Sequence, residues 1–152
     1  MNFELITFFL SAFIVAVSAY FDIRERRIPN FITLPSIIVG FGLYFVYWGW
    51  TGLKVSFIGL LIGGGCFLIF YAFGGIGAGD VKLMAGIGAL LGMDKILTVI
   101  LVTVFTGGII ALIIIMMKKI KGEYKILSSK NTFPYGLAIA IGTIITIWSH
   151  IK

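Results

Sequence analysis

The chain has 152 residues, 60% of them hydrophobic and 12% charged, with a mean hydropathy of +1.12. Soluble domains carry about 25% charged residues, so an ordinary water-soluble domain is excluded, and one cysteine, Cys66, excludes an intrachain disulfide framework or a CxxC metal site. The net charge of +6 would suit nucleic acid, but the basic residues cluster between apolar stretches, as membrane topology requires.

Apolar stretches approaching 20 residues recur along the chain, the mark of a polytopic helical membrane protein. The short alternating runs of an outer-membrane barrel are absent. Six apolar segments are predicted, at roughly 5–21, 33–50, 55–73, 81–93, 95–117 and 133–150. The first is preceded by Met-Asn-Phe-Glu, without the basic residues of a signal peptide, and is read as a retained helix. The second ends in the Phe- and Trp-bearing stretch 41–50, which suits lipid contact and an interfacial belt. In the third lies Cys66, read as a small buried hydrophobe. The fourth is short. At 1.5 Å per residue its 13 residues cover only about 20 Å of a hydrocarbon core of about 30 Å. Either it tilts against a thinned or wet region, or the GGIGAGD run before it lies below the membrane surface, and both options put a hydrated recess near Asp80. The sixth carries His150 near its end, read as inert.

The connections after the first, third and fifth segments hold nine basic residues: Arg24, Arg26, Arg27, Lys82, Lys118, Lys119, Lys121, Lys125 and Lys130. The other side holds Lys54, Lys95 and Lys152. The positive-inside rule then predicts both termini outside the cytoplasm and the odd-numbered connections within it. The expected architecture is all-α, with six transmembrane helices in one domain over residues 1–152. Its largest soluble piece is a basic cytoplasmic loop at 118–132 that faces anionic lipid heads. Glycines at small-xxx-small spacing, Gly59 with Gly63, Gly75 with Gly79 and Gly88 with Gly92, predict close helix packing.

Six acidic residues are available: Glu4, Asp22, Glu25, Asp80, Asp94 and Glu123. Asp22 follows the first segment and Asp80 the third, which places both on one membrane face. Singly, each has a structural reading: Asp80 as a helix N-cap and Asp22 as a solvated loop residue. Together they form a constellation that catalysis uses, since carboxylates at a lipid boundary are costly to keep. A carboxyl pair about one water apart titrates as a unit and holds one shared proton. The ionised member then draws a proton from water while the neutral member donates to a carbonyl oxygen, which hydrolyses a peptide bond without a covalent intermediate. Gly77 and Gly79, lacking Cβ atoms, would let a substrate backbone approach Asp80. Pro29-Asn30 reads as a rigid turn and an N-cap for the second helix. Arg27 reads as a topology signal or a partner for Asp22. Lys82 would bind lipid phosphate or bias the aspartates. Tyr135 is an interfacial anchor or a hydrogen-bond donor in the site.

Gly77-Ala78-Gly79-Asp80 reads GxGD, the signature of intramembrane aspartyl proteases, and Val81-Lys82 extends it to GxGDxK. Upstream stands Asp22-Ile23-Arg24-Glu25-Arg26-Arg27-Ile28-Pro29-Asn30, and downstream Phe133-Pro134-Tyr135-Gly136-Leu137-Ala138-Ile139-Ala140. In this order the three elements resemble type IV prepilin peptidases and their archaeal preflagellin relatives, over nearly the whole chain. The PAL element of presenilin-type proteases is absent. The likeness is to the short form, without an N-terminal methyltransferase region carrying paired CxxC motifs, so methylation of the product is not expected. The resemblance implies that Asp22 and Asp80 are the catalytic pair, with Arg27, Pro29, Asn30, Pro134, Tyr135 and Gly136 supporting them. It further implies no metal or cofactor, a place in the cytoplasmic membrane, and pilin-like or archaellin-like precursors as partners, cut at the cytoplasmic face to remove a short basic leader. The rival classes are a small ion- or proton-coupled transporter using the same aspartates and a non-enzymatic pilus-assembly subunit. A transporter would place its acidic residues near the midplane, whereas these fall near one surface.

Overall fold

A computed structural model describes residues 2–25, 27–120 and 135–151. Four helices follow in order: α1 Phe3–Glu25, α2 Asn30–Ala72, α3 Ala78–Ile120 and α4 Tyr135–Ile151. Among the described residues there is no strand. By length and composition α1, α2 and α3 are apolar enough to cross a membrane, and α4 is a shorter apolar helix.

The helices are built inside out relative to a soluble bundle. Along α1, Thr7, Ser11, Val15, Ser18 and Asp22 recur every three or four residues and are buried, whereas Leu5, Phe9, Phe13 and Tyr20 are exposed. Hydroxyls and small residues thus face the neighbouring helices, as they do where lipid gives apolar side chains no reason to hide.

Both 43-residue helices reverse direction at a glycine. Gly49 has φ 59° and Gly92 φ 75°, left-handed values that cost a residue with a Cβ but not glycine. A straight helix would hold Phe41 and Phe57 about 24 Å apart, yet their ring centres lie 6.2 Å apart, so the chain folds back at Gly49. Likewise a Cβ on Gly63 would touch both the Met84 carbonyl oxygen, at 2.5 Å, and Ile96, at 3.2 Å. Those two residues can flank one glycine only if α3 doubles back at Gly92. The helical segments are therefore 3–25, 30–48, 50–72, 78–91, 93–120 and 135–151, close to the predicted apolar segments, with the second and fourth starting three residues earlier and the third five.

Segment 78–91 is the axis of the bundle. Residues 83–92 are all buried. Ser56 donates to the Ala89 carbonyl at 2.6 Å, Gly40 lies against the Ala89 backbone, and Gly59 and Gly88 meet backbone to backbone. Its shortness now has a physical reason: protein encloses it, so it need not match the thickness of hydrocarbon. Half-buried Cys66 packs against the apolar core.

Candidate active site

Asp22 stands in the last turn of α1 on its buried face, 8% exposed. Its Oδ2 accepts the backbone N–H of Gly136 at 2.9 Å. That N–H is one of the first-turn donors of α4, which no intrahelical carbonyl satisfies, so the carboxylate completes a helix end from another helix. The approach needs glycine: a Cβ at Gly136 would lie 2.7 Å from Oδ2 and 2.9 Å from the Asp22 Cβ.

Asp80 is the third residue of α3 and 5% exposed. Its Oδ2 reaches back to accept the Gly77 N–H at 3.0 Å. This is the acidic half of a capping box, in which the third helical residue satisfies the N–H of the residue before the helix. The predicted capping role therefore belongs to one oxygen only. Asp80 Oδ1 is buried with no hydrogen-bond partner, and Asp22 Oδ1 has none among the described residues. A buried polar atom left over in this way calls for a ligand, a water or a proton.

The connection between α1 and α2 joins the two aspartate-bearing elements. Ile28 is buried, and the space a Cβ at Gly79 would take is held by Ile28, whose Cβ would be 3.0 Å away and whose backbone N and O 3.4 Å. Gly79 thus admits a backbone of its own chain. Gly77 turns toward the Asp80 carboxylate, 3.2 Å from where its Cβ would be. Three residues past Gly79 and two past Ile28, Lys82 Nζ donates to Asn30 Oδ1 at 2.9 Å. Asp22 and Asp80 are close enough to interact electrostatically, and so are Asp80 and Tyr135.

Several expectations change. The α2 N-cap is Pro29, extended at φ −73° and ψ 142° and without a side-chain cap; Asn30 is the first helical residue and binds Lys82 instead. Pro29 has no N–H, and its ring sets the φ that leads into the helix. Lys82 is engaged by Asn30 and makes no ion pair with either aspartate. Arg27 is exposed and forms no ion pair with Asp22. Pro134 lies outside the described residues, as do residues 121–132 of the predicted basic loop, while 118–120 continue α3. Tyr135 opens α4 and helps to line a cavity of about 210 Å³ with Phe67, Phe70, Ile76, Thr103 and Val104. Reasoning along the chain missed that cavity and Thr103, whose buried Oγ1 has no partner, because three distant segments build it. Ile28 was within reach, as the bulky member of the run joining Arg27 to Pro29.

The described residues are helical, three of the helices are long and apolar enough to cross a membrane, and two buried carboxylates lie at one end of the bundle. Residues 8–112, more than half of the chain, match the model of the type IV leader peptidase family, and the chain belongs to that family. It is therefore related to proteases of aspartic type, the prepilin peptidases. Asp22 and Asp80 fall within the matched residues; Tyr135 and Gly136 lie beyond them. No curated protein and no solved structure matches the chain.

Proposed function

We propose that this protein is an intramembrane aspartyl endopeptidase that removes the short basic leader from type IV pilin-like or archaellin-like precursors. In this reading its six helical segments each span the cytoplasmic membrane, both termini are extracytoplasmic, and the aspartates face the cytoplasm. The observation that carries it is the convergence of three separate elements. Asp22 is held by Gly136, Gly79 is held by Ile28, and Lys82 is held by Asn30, so the two carboxyl groups share one end of the bundle.

The chemistry follows from how each group is held. Each Oδ2 is fixed by one backbone N–H, and each Oδ1 is left to face a reactant. With one proton between them, the ionised carboxylate takes a proton from water as its oxygen attacks the scissile carbonyl carbon. The protonated partner donates to the carbonyl oxygen, giving a neutral tetrahedral diol. Its collapse breaks the C–N bond as the newly protonated carboxyl gives its proton to the leaving amine and the ionised one takes the proton of a diol hydroxyl, which returns the pair to one proton. The cavity beside Tyr135 and Ile76 would take an apolar side chain of the precursor.

Co-expression with a pilin-like precursor, read as the size shift of leader removal, tests the proposal. Asp22→Asn and Asp80→Asn keep an oxygen to accept the Gly136 or Gly77 N–H, so folding is expected to hold. Each should lower cleavage by at least ~100-fold, the scale of general acid–base catalysis. Wild-type cleavage by either variant would remove the two-aspartate mechanism, and proton flux in vesicles without precursor cleavage would favour a transporter.

A further inference from the structure

Roughly 27 Å along α1 from Asp22, at the other end of the bundle, lies a cavity of about 560 Å³. Sites for small molecules run from about 300 to 1,000 Å³. The aromatic wall is Phe3, Tyr44 and Trp48, with the Phe3 ring centre 4.8 Å from Tyr44 and 4.3 Å from Trp48. Glu4, Asp94 and Lys95 supply its charged groups.

What these groups leave unmet defines the ligand. Lys95 and Glu4 pair at 2.6 Å, and the same ammonium sits 4.5 Å from the Phe8 ring centre, so the one cation among the described lining residues is already engaged. Asp94 is exposed and has no partner among the described residues. Tyr44 is 7% exposed, its hydroxyl makes no hydrogen bond among the described residues, and it lies within electrostatic reach of both Asp94 and Glu4. A carboxylate, an unpaired hydroxyl and a ring cluster remain, with net charge −1 over the lining residues. Inorganic anions do not suit that set, and a wholly apolar molecule would leave the Tyr44 hydroxyl unsatisfied. An organic cation meets each group: its charge meets Asp94, its N–H or polarised C–H groups meet the Tyr44 oxygen, and its body meets the aromatic rings.

We propose that this cavity is a binding site for an alkylammonium group, the head of an ethanolamine or choline phospholipid or a free amine of the same kind. The neighbouring turn of α2 exposes Phe45, Tyr47 and Trp50, an apolar surround suited to acyl chains. The site is separate from the aspartates and does not depend on the peptidase reading.

Native mass spectrometry of the full chain in detergent tests it, with dihexanoyl phosphatidylethanolamine and dihexanoyl phosphatidylglycerol as probes. The expected result is one saturable ethanolamine-lipid adduct, with the glycerol lipid bound at least about tenfold more weakly, a difference of about 1.4 kcal/mol. Asp94→Asn should weaken the adduct by about tenfold, and Tyr44→Phe, which keeps the ring, by a few-fold. Competition by millimolar choline or ethanolamine would make the head group sufficient, and its failure would make the whole lipid the ligand. Equal binding of the glycerol lipid, or unchanged binding by Asp94→Asn, would overturn the proposal.

Discussion

Glu4 at one end of this bundle and the two aspartates at the other are held in opposite ways. At one end Glu4 is largely exposed and tied to Lys95 at 2.6 Å, so its charge is matched by a cation. At the other, Asp22 and Asp80 are buried, no cation among the described residues pairs with either, and a single backbone N–H holds each. A cation would fix a carboxylate in its ionised form. An N–H of a helix terminus orients the group while leaving its second oxygen free to take or give a proton. On the proposed reading, position at the membrane boundary would not by itself make an aspartate reactive. What matters is being oriented without being neutralised.

That contrast can be broken at its strongest point by Gly136→Ala. The added methyl would sit 2.7 Å from Asp22 Oδ2, so the carboxylate must move. Cleavage should fall about 10- to 100-fold, since displacements near 1 Å cost up to about that much. Gly65→Ala is the control, because its Cβ meets nothing within 4 Å, and precursor processing by it should equal wild type. Equal loss in both variants would show a general packing effect.

A smaller effect is expected where the two motifs are joined. Lys82→Met and Asn30→Ala each remove the 2.9 Å bond between α3, which bears Asp80, and the start of α2. A single hydrogen bond contributes about 0.5–1.5 kcal/mol, so each should slow cleavage about 2- to 10-fold. The double variant should be no worse than either single one, because they delete the same interaction. Additive losses would mean that the two residues act independently.

Glu4→Gln probes the other end and should change least. An exposed ion pair stabilises by about 0–1 kcal/mol, so the midpoint of thermal unfolding in detergent should shift by only a few degrees and cleavage should not change. A loss of activity as large as that of Gly136→Ala would erase the proposed distinction between the two ends.

Much of the site was legible along the chain because its chemistry is concentrated in short runs. Asp22, Asp80 and Lys82 stand out as charged residues in an apolar background, Gly77 belongs to the glycine run before Asp80, and Gly136 is marked only by the resemblance of the 133–140 element. Their partners were less visible. Asn30 reads as a cap by local preference, but Pro29 occupies the cap position and the amide is drawn to Lys82, a residue 52 positions away. Gly79 reads as an opening for substrate, whereas Ile28 packs there. In both cases a contact across the fold outweighs a local propensity worth about 1 kcal/mol.

The sequence by itself determined the class: apolar segments of helix length, basic residues segregated by side, and two aspartates after the first and third segments. Hydropathy and charge placement are local properties, readable without knowing which helix touches which. Only the tertiary structure decided what the short fourth segment is for. The turns at Gly49 and Gly92 fold both long helices back, enclose segment 78–91 in protein, and set Asp80 at its foot. They also decided that the end of α4 presenting Gly136 closes over Asp22. Those outcomes depend on backbone contacts between residues far apart in the chain, and nothing in the local pattern specifies such contacts.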